Sequence, residues 1–366
     1  MNILEKLAIV IVLVFFPVVS YGAVSGPCGT CHTMHNSQNN TAQAMFGSEM
    51  GWSGDDGSLT GGSLTATPQP TLLVTNCVGC HSSTSTDTII DIGGAGGNRI
   101  PIVYNTGGYP SNALAGGNFF YVGDGDDSKG HNVYGIAEAD VALVNGAPGL
   151  NTSGCIGGSN VNSCHMSLAR APTFGAGGNF GLGGCQGCHL YPAHHDDNPV
   201  LGYRFLSGHN SDTDYVRGDE DDDWEFSKSS TDHNFYEGED GPVSGTLSSN
   251  QSMSAFCGGC HIEFHRANNI TSGSAWVRHP VDTALPTTGV FSEYNPVTSY
   301  DADVPVAWTA STNTGDRGTA VVMCLTCHRA HGSPYDDMLR WDYNTDCSTG
   351  VANADCGCFK CHTDKD

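Results

Sequence analysis

The sequence predicts a chain that is mostly coil, with short helical turns wrapped around covalently held hydrophobic groups and little sheet. Three observations predict it. The pattern Cys-x-x-Cys-His occurs six times. The 366 residues hold 49 glycines and 16 prolines, and only 14% are charged, which leaves too few regular apolar stripes for a conventionally packed protein. There are 16 histidines for the six motifs, a supply that allows a second histidine for every copy.

The motifs pair Cys28 with Cys31, Cys77 with Cys80, Cys185 with Cys188, Cys257 with Cys260, Cys324 with Cys327, and Cys358 with Cys361. Each pair is followed at once by a histidine: His32, His81, His189, His261, His328 and His362. This is the c-type haem attachment signature, in which two thioether sulfurs hold the porphyrin edge and the histidine reaches the iron. A zinc knuckle or a redox pair imitates one copy, but six copies argue against both. A disulfide framework gives no reason for the histidines. Each porphyrin is a large flat hydrophobe, so the haems become the core, and glycine lets the backbone approach them closely. The fold class is therefore multihaem cytochrome c.

Residues 1–22 read as a secretory signal: Lys6 precedes an apolar run from Leu7 to Val19, and small residues follow at Gly22 and Ala23. An uncleaved anchor is the alternative, for which the run is short. Residues 23–366 form one continuous electron-transfer domain. The net charge of −24 excludes general nucleic-acid binding, which needs a basic face. Export suits c-type haem, and the reading is a secreted protein.

Between the motifs the order is as follows. Ile89 to Ile92 and Arg99 to Tyr104 suggest short strands, and Ile136 to Val144 a short helix. His131 stands alone in Lys129-Gly130-His131-Asn132 and reads as an axial ligand to iron. Cys155 and Cys164 are separated by eight residues, with His165 directly after. They form either an expanded attachment motif for a seventh haem or a disulfide. Cys347 and Cys356 have the same separation and no following histidine, so a disulfide is their natural reading. The acidic stretches Gly123–Asp127 and Asp219–Asp223 are candidates for Ca²⁺; a solvated acidic face is the plain alternative.

The histidines bear on mechanism. Six haems with two axial histidines each need 12 of the 16, and seven need 14. Such closed irons move electrons and do not readily bind substrate. Candidates for the second ligand are His35, His131, His194, His195, His209, His265, His279 and His331, with His233 as a further one. His32 with His35, and His328 with His331, are three apart, on one face of a helical turn. The first ligates the haem attached beside it. The second cannot reach round that porphyrin, so it must ligate a neighbouring haem and bring two redox centres together. His261 and His265 repeat this at a spacing of four.

At these residues the chain resembles the outer-surface multihaem cytochromes of metal-reducing bacteria, of the filament-forming OmcS type. Cys28–Ser37 is similar to that family's opening motif, Lys129–Asn132 to its Lys-Gly-His-Asn, and Cys257–His265 with Arg278-His279-Pro280 to its fourth haem region. Cys324–His331, with Met338 and Arg340, resembles the fifth, and Cys358–Asp366 the C-terminus. The resemblance implies that His35, His131, His194 or His195, His265, His279 and His331 are the distal ligands. It also implies that His35 ligates the haem of His328 in the next subunit. Such an open head-to-tail contact builds a filament. Partners would then be the chain itself, upstream periplasmic or outer-membrane cytochromes, and an external acceptor such as a metal oxide. The Cys155–His165 feature and the acidic region 202–240 depart from the family. With a seventh haem, His209 or His233 would be its distal ligand. The alternatives are a discrete soluble shuttle and a multihaem reductase of small nitrogen or sulfur compounds, which would need an open iron.

Overall fold

The computed structural model describes residues 77–93, 98–143, 147–149, 168–169, 183–190, 202–207, 215–241, 251–265, 279–309, 316–348 and 355–364, with residues 194 and 350. It also places two-residue strands at 37–38, 41–42, 45–46, 59–60, 173–174 and 180–181. Residues 1–22, the first motif with His35, the Cys155–His165 feature, His195 and His209 lie outside the described residues. No helix among the described residues is long and apolar enough to cross a membrane.

Regular structure is short throughout. Among the described residues the longest helix is Met253–Gly258, six residues, started by Ser252, whose hydroxyl accepts the Ala255 N–H at 3.0 Å. The strands pair mostly in twos. One antiparallel sheet has three strands, with Ala320–Val322 between Thr283–Ala284 and Ala307–Trp308. Within it Val321 is fully buried, and Trp308 and Ala307 nearly so.

The strands expected near residue 90 form an antiparallel hairpin of Ile89–Gly93 with Asn98–Pro101. The second strand is shorter than its sequence suggests because Pro101 has no N–H to continue the ladder. The chain then turns: Ile102 donates to the Thr88 carbonyl and Val103 to that of His81, both at 2.9 Å. Tyr104–Asn105 pairs instead in parallel with Ser82–Ser83. The hairpin is thereby sewn to the residues directly after the second motif.

The helix expected over Ile136–Val144 does not form; residues 134–136 and 141–142 are turns. Gly135 takes a positive φ of 88°, and the Asp140 carboxylate captures the Ala142 N–H at 2.7 Å. A side chain that takes a backbone donor in this way competes with a helix. Val144 itself lies outside the described residues.

The apolar clusters gather at the attachment motifs. Tyr203, Val216, Tyr236, Met253 and Val321 pack with Cys188 and Cys257 at their margin. Val78, Tyr104, Phe119, Val133 and Ile136 pack against Cys185. Val304, Trp341, Cys356 and Phe359 pack against Cys327 and Cys358.

Candidate haem-binding site

In three described motifs both cysteines lie within one helical turn, Cys77–His81, Cys324–Cys327 and Gly357–Cys361. In the other two the first cysteine lies in a helix, Gly184–Gly187 or Met253–Gly258, and the turn continues through the Cys188 N–H to Cys185 and Cys260 N–H to Cys257 bonds at 3.2 and 3.1 Å. A helical turn puts residues three apart on one face, so the two sulfurs of each motif present to a single porphyrin edge. The turn at Cys324 is fixed by Thr326, whose hydroxyl accepts the Met323 N–H at 3.1 Å and donates to the Pro305 carbonyl at 2.6 Å.

The histidines after the motifs are oriented by a shared device. The ring Nδ1 of His81 donates to the carbonyl of Pro101, that of His189 to Arg204, that of His261 to Pro148 and that of His328 to Asp337, at 2.7–2.8 Å. Spending the Nδ1 proton in this way leaves Nε2 as the free lone pair and aims the ring. Burial, the largest cause in each case, pushes the proton affinity of His81, His131, His189, His261 and His328 below its ordinary value. For His331 burial and the neighbouring His189 push it down to about 3. All six are held as neutral imidazoles, the form a metal binds.

The histidines are also paired. His81 faces His194 with ring centroids 6.0 Å apart, His131 faces His261 at 6.0 Å, His279 faces His362 at 6.1 Å, and His189 faces His331 at 6.2 Å. A metal–imidazole bond is about 2 Å, and the ring centre lies about 1 Å behind its nitrogen. Two imidazoles bound on opposite sides of one metal therefore have centroids roughly 6 Å apart. Four unrelated pairs share that spacing, and each combines one motif histidine with one from elsewhere in the chain.

The sulfurs run in sequence order. The Cys77 and Cys185 side chains are hydrogen-bonded. Cys188 lies in the electrostatic range of Cys257 and Cys260. Cys257 is hydrogen-bonded to Cys324, and Cys327 neighbours Cys358 and Cys361. The second to sixth attachment sites thus follow one another as neighbours, the third and fourth sharing one apolar cluster and the fifth and sixth another.

The other predicted residues are placed as follows. The His194-or-His195 alternative meets His194 opposite His81. His265 is buried, and its Nε2 lies 2.8 Å from the Asp282 carboxylate, which also accepts from Ser252; among the described residues it faces no motif histidine. His233 stacks flat on Tyr300, centroids 3.6 Å apart, with Nδ1 donating to Asn234. His331 reaches the third motif, not its own, as its spacing implies. The helical geometry invoked for it is absent, because the helix stops at Cys327 and His328 is extended. Cys347 and Cys356 form a disulfide.

The acidic loops do not gather carboxylates. Asp126 is paired with Lys129 at 2.8 Å and accepts from Ser128, and Asp127 accepts from Asn132. Asp221 accepts the N–H groups of Asp223 and Glu225, and Asp223 that of Ser227. These oxygens stabilise turns. Among the described residues, the group with three metal-ligating side chains together is Cys347, Cys356 and Cys358.

Sequence reasoning missed the carbonyls that orient the rings, since any residue supplies one. It also missed why Arg340 is buried. Arg340 donates through Nε to Leu325 and through Nη1 to Ala302, while its buried Nη2 has no hydrogen-bond partner. A spare guanidinium donor beside the fifth motif fits a group that brings its own acceptor oxygens, as haem propionates do.

Residues 318–366 match the family model for the doubled CXXCH motif, spanning the last two attachment sites. Among solved structures, the chain is similar to the Outer Membrane Cytochrome S filament from Geobacter sulfurreducens. The TM-score is 0.50 and the identity 18%, over 91% of this chain and 87% of that one. The chain has a multihaem cytochrome c fold. No curated protein matches it. Mostly coil, with short helices at the attachment cysteines and small sheets, is the architecture of this cytochrome class.

Proposed function

We propose that this cytochrome is a secreted carrier that passes electrons one at a time along a line of bis-histidine haems to an external acceptor. The observation that carries the reading is the four imidazole pairs at one spacing, combined with attachment sites that neighbour one another in order from Cys77 to Cys361. When bound, each haem supplies an iron that cycles between ferric and ferrous. The chain's own residues set the spacing, keep the imidazoles neutral and exclude water.

The ligand sets of this reading are His81 with His194, His189 with His331, His261 with His131, and His362 with His279. Each second ligand comes from a segment remote in sequence from its haem, so the irons tie those segments together. His35 of a neighbouring copy would complete the haem of His328, as the resemblance implies, and the contact repeated head to tail would give a filament. The likeness to a filament cytochrome supports this step. Cys28, Cys31 and His32 would carry the first haem. Cys155, Cys164 and His165 would carry a seventh, with His209 opposite. The N-terminal 22 residues would direct export.

His35→Ala tests the assembly claim. Haem content should be unchanged and filaments absent by negative-stain microscopy; normal filaments from that variant would remove His35 from the interface.

A further inference from the structure

The Cys347–Cys356 disulfide stands against a third sulfur. Those of Cys347, Cys356 and Cys358 all lie within 4.8 Å of one another. Cys356 immediately precedes the Gly357–Cys361 helix that bears the last motif, and it is 1% exposed. Trp341 presses on the same turn: a side chain at Gly357 would meet its ring at 2.2 Å. Cys358 is the first attachment sulfur of that motif, so it must arrive at haem insertion as a free thiol.

Three thiols this close, in an oxidising compartment, have a choice of partner. A disulfide donor of that compartment takes two electrons and two protons from any two of them and is itself reduced to a dithiol. Haem attachment needs the opposite state of Cys358, in which the thiol adds across a porphyrin vinyl group. The sulfur bonds to the carbon next to the ring, the proton goes to the terminal carbon, and no net electrons move. The two reactions compete for one sulfur. Exchange is also open: a Cys358 thiolate attacking Cys347 would expel the Cys356 thiolate, with no net oxidation.

On the reading that this motif carries haem c, we infer that the Cys347–Cys356 disulfide acts as a sorting bond. It consumes the two neighbouring thiols that would otherwise capture Cys358, and so keeps that cysteine available for the last haem.

The test compares Cys356→Ser with the double variant Cys347→Ser/Cys356→Ser, both purified as secreted full-length holoprotein. Serine is a favourable residue before a helix, so the turn at 357–361 keeps its start in both. The readouts are haem count by intact mass and disulfide mapping under non-reducing conditions. Cys356→Ser should lack one haem and contain a Cys347–Cys358 crosslink. The double variant, with nothing left to capture Cys358, should recover the full complement. A full complement in Cys356→Ser overturns the inference. Loss of the same haem in the double variant also overturns it, because the bond would then be needed only to hold the turn. A wild-type protein with no haem on Cys358 would instead count against the haem reading itself.

Discussion

Replacing His331 by alanine isolates one iron. The His331 ring sits 6.2 Å from His189 and 4.8 Å from Phe119, and its backbone N–H donates to Gly116 at 2.7 Å. The substitution removes the ring and leaves that backbone bond. The other three pairs share neither histidine, so their irons keep both ligands. Removing one imidazole opens one coordination position about 2 Å from the iron, in a pocket lined by Phe119 and Gly116. Gly116 is so close that a side chain there would come within 3.0 Å of the His331 ring, and glycine brings no ligand of its own to the vacated position. Carbon monoxide binding to the reduced holoprotein is the assay. The four paired haems should bind none in the wild type, and His331→Ala should gain one carbon monoxide per chain. A variant that stays wholly low-spin, or one that opens several haems, would refute the pairing.

Other outcomes follow from packing and charge. Gly130→Ala would drive a methyl to 2.4 Å from Val122 and 2.6 Å from the His331 carbonyl, displacing His131. High-spin iron should then appear at the haem of Cys257, detected by electron paramagnetic resonance. Trp308→Ala empties a site that is 1% exposed and should cost about 3–5 kcal/mol in denaturant unfolding. Arg317 donates to the carbonyls of Tyr294, Leu285, Pro286 and Phe291; Arg317→Leu leaves them unmet and should cost about 3 kcal/mol, read as a lower denaturation midpoint. Six half-buried histidines have depressed proton affinity. In the haem-free chain, below about pH 6.5 the unfolded state binds protons the folded one refuses, so stability falls with acid by at most about 1.4 kcal/mol per histidine per pH unit. Thermal midpoints flat from pH 7 to 5 would contradict this.

The attachment sites were legible because covalent chemistry fixes their spacing within five residues. His131 and His331 were legible as candidate ligands because so many histidines need a purpose, and the rule that a second histidine cannot serve its own haem agrees with His331 facing His189. Which haem each one meets was not legible, because His331 finds His189 across 142 positions of chain and no local pattern encodes that pairing. The turn at Ile136 was misread because apolar spacing does not register Gly135 and Asp140 diverting the backbone. His265 shows the same limit: its spacing suggests a ligand, whereas its nitrogen meets a buried Asp282 contributed by a distant, left-handed backbone position at φ 49°.

The central claim is an ordered line of haems, and cryo-electron microscopy of the native extracellular material tests it most directly. The account predicts filaments in which haems on Cys77, Cys185, Cys257, Cys324 and Cys358 follow one another in that order, with His194, His331, His131 and His279 completing four of them and His35 of the adjacent copy completing the fifth. Discrete particles would contradict the filament, and haems in another order or with an open iron would contradict the conduit.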